Sequence, residues 1–206
     1  MDNAAPFLLK RTHDRGNTWT DVGNLPSNIA VASNLPLDLK FTTFLHGWLI
    51  GTNSTNTMDY AYSTQDGGQS WTLQLARPRT NKSFKNLELL SNTEVWITRN
   101  DSFYHTTNGG ASWVVTKHAS TTSPYRSIDA LKFQSSLVGF HTFENILYKT
   151  TDGGINWAYM GEGTHFTLAQ NAPSMLWVIS GFLKKSTNSG QSFSTQLGCP
   201  SIATIV

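Results

Sequence analysis

The chain carries one short box five times: THDRGNTW from Thr12, TQDGGQSW from Thr64, TTNGGASW from Thr106, TTDGGINW from Thr150 and STNSGQSF from Ser186. Successive boxes start 52, 42, 44 and 36 residues apart. One match to Ser/Thr-x-Asp/Asn-x-Gly-x-x-Trp/Phe would carry little weight. Five at this spacing mark a repeat protein, in which each unit buries its apolar surface against its neighbours.

The flanks repeat as well. Three residues before each box stand Leu9, Ala61, Phe103, Leu147 and Leu183, and one residue before stand Arg11, Ser63, His105, Lys149 and Lys185. Apolar and polar positions thus alternate, as in a strand with one buried face. Strand-like runs such as WTLQL (71–75) and WVVTK (113–117) follow the boxes. Each box therefore reads as the turn of a β-hairpin. In that turn Asp14, Asp66, Asn108, Asp152 and Asn188 accept hydrogen bonds from backbone N–H groups just ahead. Gly16, Gly68, Gly110, Gly154 and Gly190 supply positive φ. Trp19, Trp71, Trp113, Trp157 and Phe193 are expected to bury a ring under the hairpin. Asn stands for Asp twice, so the position needs an acceptor and not a charge, which argues against a metal loop or a general base.

Two further strand-like runs precede each later hairpin, at 39–51, 87–99, 131–143 and 166–180. About four short strands in about 40 residues is the size of a propeller blade. The expected fold is all-β: a β-propeller of four-stranded antiparallel blades with box turns, a single domain over residues 1–206. The chain opens on what reads as the third strand of a blade, PFLLKR (6–11), and ends on a first strand, PSIATIV (200–206). Five blades closed by strands from both termini are therefore expected, since an open ring would leave unpaired edges.

Composition narrows the function. Charged residues make up 14% and the net charge is +2, too little to imply a nucleic-acid partner. One cysteine, Cys199, excludes an internal disulfide and a cysteine-rich metal cluster. No apolar run reaches the ~18 residues of a membrane-spanning helix. The start, MDNAAPFLLKRTHD, does not read as a signal peptide. The six histidines lack metal-ligand spacing, so no metal and no cofactor are expected.

The five boxes and their flanks resemble the Asp-box (BNR-repeat) β-propellers. The order that ends in LYKTTDGGINW (147–157) most resembles the photosystem II assembly factor Ycf48-like family. Sialidases, sortilin-type receptors and xyloglucanases carry the same box. Propellers of these families usually have six or more blades, against five boxes here. The resemblance implies the architecture across nearly the whole chain, a non-catalytic assembly module, a monomer, and an extracytoplasmic location. It also implies a basic face that engages a protein partner.

In a propeller the boxes, as turns between third and fourth strands, share one face, and the longer loops emerge on the other. Two of those loops are cationic: 76–85 with Arg77, Arg79, Lys82 and Lys85, and 117–126 with Lys117, His118 and Arg126. Arg99 belongs to the blade between them. These eight residues are the candidate partner-binding set, suited to an acidic peptide or protein. The alternatives are a carbohydrate-binding propeller with a glycan ligand, or a sialidase-like hydrolase. The hydrolase reading needs an arginine trio, a Tyr–Glu pair and an acid. The chain offers four Glu, and no Phe/Tyr-Arg-Ile-Pro segment precedes the first box.

Overall fold

A computed structural model of the chain describes residues 7–30, 37–79, 82–118, 127–169 and 172–198. The expected closing strand 200–206, Cys199 and Arg126 lie outside them. The described residues hold eighteen strands and no helix, hence no helix long and apolar enough to cross a membrane. Leu8–Arg11 (β1) and Thr20–Asn24 (β2) pair as a two-stranded sheet. Leu37–Phe41, Gly47–Thr52, Met58–Thr64 and Thr72–Pro78 (β3–β6) form a four-stranded antiparallel sheet in chain order. So do Phe84–Leu89, Val95–Arg99, Ser102–Thr106 and Val114–Lys117 (β7–β10). Two more follow: Ile128–Phe133, Gly139–Phe143, Ile146–Thr150 and Ala158–Glu162 (β11–β14), then His165–Ala169, Ala172–Ile179, Phe182–Ser186 and Ser194–Gly198 (β15–β18). These sheets are the blades that the repeat implies. The chain falls into two compact units, Met1–Lys117 and His118–Val206.

The second strand of a blade is the most enclosed. GWLIGT in β4, VWITR in β8 and GFHTF in β12 are buried at every position, as expected where both faces of a strand are covered. In the first unit Trp48, Ile50, Leu75, Phe84, Leu87, Val95, Ile97 and Tyr104 make one core between the two four-stranded sheets. In the second unit Phe140, Leu147, Leu176 and Val178 do the same, with Met160, Phe166 and Phe193 packed around them. Burying each such side chain stabilises the fold by roughly 1.5–3 kcal/mol.

All five boxes take one geometry. The Ser/Thr hydroxyl of the first position donates to the Asp/Asn side chain at 2.8–2.9 Å, as in Thr12–Asp14, Thr64–Asp66, Thr106–Asn108, Thr150–Asp152 and Ser186–Asn188. The same hydroxyl accepts the N–H of Gly16, Gly68, Gly110, Gly154 or Gly190. Each of these glycines has φ between +79° and +95°, a region that costs other residues a strained backbone. The Asp/Asn carboxyl or amide oxygen then accepts the backbone N–H of Thr18, Ser70, Ser112, Asn156 or Ser192.

One expectation about the boxes needs correction. Trp71, Trp113, Trp157 and Phe193 are half-buried, but Trp19 is 58% exposed. Its indole N–H donates to the Gly16 carbonyl within its own turn. The difference lies in the neighbours: Trp113 stands edge-on to Trp48 of the neighbouring sheet at 5.9 Å and donates its indole N–H to the Gln74 carbonyl of that sheet.

Candidate functional site

Strand register fixes which end of each sheet carries the cations. In the sheet β3–β6, Gly47 pairs with Thr64, the first residue of a box. At the other end Thr52 pairs with Asp59, and Asp59 with Arg77. In the sheet β7–β10, Val95 pairs with Thr106 at the box end. Phe84 pairs with Arg99, Arg99 with Ser102 and Ser102 with Lys117 at the other. Arg77, Arg79, Lys82, Lys85, Arg99 and Lys117 thus all belong to the ends opposite the boxes of their sheets.

Their environments differ. Arg77 is exposed, and its guanidinium donates back to the Ala76 carbonyl at 3.1 Å. Lys85 and Lys117 are exposed, and Lys82 is half-buried. Arg79 is half-buried; its backbone N–H donates to the Thr57 carbonyl at 2.7 Å. Among the described residues its buried Nη1 has no hydrogen-bond partner. Arg99 departs from the sequence expectation of a loop cation. It is buried, with Nε 3.4 Å from the Asp59 carboxylate. Nε also donates to the Lys82 carbonyl at 3.2 Å and Nη2 to the Pro78 carbonyl at 2.6 Å. Arg99 therefore ties the loop between β6 and β7 to both sheets from inside, and its charge is spent on Asp59.

Asp59 is fully buried and accepts the Thr52 hydroxyl at 2.9 Å. Burial pushes its carboxyl upward from the usual range; the Thr52 hydrogen bond and the charges of Arg99 and Arg79 oppose that rise. Two guanidiniums thus share one enclosed carboxylate, which leaves the end of the first unit net positive. Asp38 in β3 and Asp101 in the turn between β8 and β9 are further acids near this end; Asp101 accepts the Ser102 hydroxyl at 3.0 Å.

His118 is the second departure. It is buried in the second unit, stacked on Phe143 at 4.6 Å and edge-on to Tyr148 at 4.6 Å and His141 at 5.1 Å. Burial, with the neighbouring His118, holds His141 down to about 3. This aromatic cluster is core, not surface: the His118 ring is turned onto Phe143, Tyr148 and His141. Among the described residues no group of three or more His, Cys, Asp or Glu side chains could hold a metal ion.

Comparison with known proteins fits this geometry. The family model for the photosynthesis system II assembly factor YCF48 matches residues 26–192. The photosystem II assembly lipoprotein Ycf48 of Synechococcus sp. (strain CC9902) is 28% identical over 124 residues, which are 59% of this chain and 35% of that protein. A solved structure of YCF48 bound to D1 peptide superposes with a TM-score of 0.57 at 22% identity, over 98% of this chain and 59% of that one. YCF48 from Cyanidioschyzon merolae gives 0.54 at 18% identity, over 84% and 59%. The chain thus spans about a third of the length of the curated relative it matches. The fold is the β-propeller of these proteins, and the chain belongs to the photosystem II assembly factor Ycf48 family.

Proposed function

We propose that this chain is a non-catalytic module that assists photosystem II assembly by holding a protein or peptide partner of acidic character on the cationic ends of its blades. The observation that carries the reading is the placement of Arg77, Lys85 and Lys117 exposed at the ends opposite the boxes. Arg99 meanwhile consumes the buried carboxylate of Asp59 that would otherwise offset them. Exposed cations attract an anionic partner over roughly a Debye length, about 8 Å at physiological ionic strength. Arg77 and Arg79 add planar donors suited to carboxylates. A family relative described as a lipoprotein supports an extracytoplasmic location. The D1 peptide held by a structural relative makes a D1 peptide the natural probe.

The test is the affinity of a labelled D1 peptide for the wild-type chain and for Arg77→Glu/Lys117→Glu, at low and at high salt. Both positions are exposed, so the variant is expected to keep its melting temperature. Its affinity should fall at least roughly tenfold, and wild-type affinity should weaken as salt rises. Binding indifferent to both the substitutions and the salt would refute the cationic surface.

A further inference from the structure

The third box differs from the others in one chemical respect: it holds the chain's only Asn–Gly step, Asn108–Gly109. An asparagine followed by glycine can react with its own backbone. The Gly109 nitrogen attacks Cγ of Asn108, a bond forms between them, and the Cγ–Nδ2 bond breaks. Nδ2 leaves as ammonia with the proton from the glycine nitrogen, and a cyclic imide remains. Water then opens the ring at Cγ to give aspartate, or at the main-chain carbonyl to give isoaspartate. Nothing is oxidised or reduced. Glycine favours the first step because it has no Cβ to obstruct the approach.

Three observations say how the fold treats this step. First, the attacking nitrogen is occupied. The Gly109 N–H donates to the Thr93 carbonyl, in the turn between β7 and β8, at 2.9 Å. The equivalent N–H groups of Gly67, Gly153 and Ser189 donate to the carbonyls of Leu45, Leu137 and Ser174 at 2.8, 3.0 and 2.7 Å. Such a bond retains the proton that the nitrogen must lose. Second, the amide that must swing toward that nitrogen is held ahead of it. Its Oδ1 accepts the Thr106 hydroxyl and the Ser112 N–H, each at 2.9 Å, and its Nδ2 donates to the Ser112 hydroxyl at 2.8 Å. Third, Asn108 is exposed, so water reaches it and a carboxylate there stays solvated. Asp14, Asp66 and Asp152 fill the same position in three of the other boxes.

We propose that Asn108 is a site of spontaneous deamidation which the folded box holds closed, so that the reaction proceeds when the turn between β9 and β10 opens. The two products have opposite fates. Aspartate restores the box, since Asp66 and Asp152 accept the same backbone N–H in theirs, and it adds one negative charge. Isoaspartate carries the chain through Cβ, which lengthens the turn by one atom and moves the acceptor away from the Ser112 N–H. The hairpin then closes poorly, and Trp113 loses its hold on Trp48 and on the Gln74 carbonyl. The site lies at the box end of its sheet and does not rest on the cationic surface.

The full chain is aged in mildly alkaline buffer with and without urea. Peptide mass spectrometry locates the small gain in mass as an amide becomes an acid, and fragmentation tells aspartate from isoaspartate. Ion exchange separates the chains that have gained a negative charge. In urea Asn108 is expected to react ahead of every other asparagine. In the folded chain it should react roughly tenfold or more slowly, in proportion to the open fraction. Thr106→Val removes a donor to Oδ1 and the acceptor of the Gly110 N–H, and should raise the folded rate toward that in urea. Ser112→Ala, which removes only the Nδ2 acceptor, should raise it less. The aspartate product should melt with Asn108→Asp, close to the wild type, and the isoaspartate product well below it. A folded rate equal to or above that in urea overturns the proposal, since the hydrogen bonds of the box then activate the amide instead of protecting it. So does a folded chain in which Asn108 never reacts, a rate blind to both substitutions, or an isoaspartate product that melts with the wild type.

Discussion

Within each box, the residue four positions after the Asp or Asn adapts to it. Ser70 donates its hydroxyl to the Asp66 carboxylate at 2.6 Å, whereas Ser112 accepts the amide of Asn108 at 2.8 Å. Asn156 donates its amide to Asp152. The hydrogen-bond pattern is conserved while the charge is not, so Asp152→Asn should fold normally and melt close to the wild type. Trp157→Ala should cost about 3 kcal/mol, since it strips a half-buried ring from Phe133 and His141. Acid separates the two kinds of box. The Asn156 backbone N–H, the Asn156 amide and the Thr150 hydroxyl lower Asp152 from 3.8 to about 2. The Ser70 hydroxyl and N–H lower Asp66, and the Thr18 hydroxyl and N–H lower Asp14, to the same level. A lowered carboxyl contributes stability above its unfolded value that is lost as pH falls toward the folded one. Stability should therefore decline between about pH 4 and pH 2, and Asp152→Asn should flatten that decline; melting curves across this range check it. The boxes were legible in the sequence because acceptor, glycine and ring sit at fixed spacing. The Asp59–Arg99 pair was not, because 40 residues separate its members and sequence displays charge but not enclosure. Asp59→Ala should cost about 3–5 kcal/mol by stranding Arg99, more than Asp59→Leu combined with Arg99→Met, when followed by chemical denaturation.

Between first and second strands, the blades solve one packing problem in two ways. Phe41 pairs with Gly47, and Phe133 with Gly139. A Cβ on either glycine would meet the Phe ring at 2.6 Å. In the blade between them Leu89 pairs with Val95: a smaller residue faces a larger one, and volume is conserved across the pair. The ring in turn packs edge-on against the box tryptophan, Phe41 with Trp71 at 6.4 Å and Phe133 with Trp157 at 6.1 Å. Gly139 does not have positive φ, so the obstacle to a side chain there is the ring and not the backbone. Gly139→Val should destabilise by about 1–3 kcal/mol through overpacking. Phe133→Leu should cost about 1 kcal/mol or more through lost contact. The double variant copies Leu89 and Val95 and should recover much of the sum; a double-mutant cycle by urea unfolding measures the coupling. Additive losses would show that the pair does not share one space. Strand order was readable from period-two alternation and the recurring box. Which glycine serves packing, and that Trp19 would stay exposed, was not, since both depend on what stands beside the strand in space.

Across the whole chain the net charge is only +2, so any electrostatic steering of a partner must come from how charge is distributed. Within the first unit Arg77, Lys85 and Lys117 lie at the strand ends opposite the boxes. Burial of Arg99 and His118 reduced the accessible set that sequence proximity suggested, because a loop's charge count says nothing of which side chains fold under it. The remaining groups divide by depth, and depth sets what each can do in binding. Exposed charges at a rim act on encounter and its salt dependence, whereas enclosed hydrogen-bonded charges act on the lifetime of the complex. Arg77→Glu and Lys117→Glu should therefore slow association of the D1 peptide and flatten its dependence on salt, with little change in dissociation. Arg79→Gln should instead speed dissociation, since half-buried Arg79 loses the charge with which it would hold a partner carboxylate. Stopped-flow mixing at several salt concentrations reads both rates. Slower association in Arg79→Gln with unchanged dissociation would mean that Arg79 steers from the rim, and that the enclosed end of the first unit makes no direct contact with the partner.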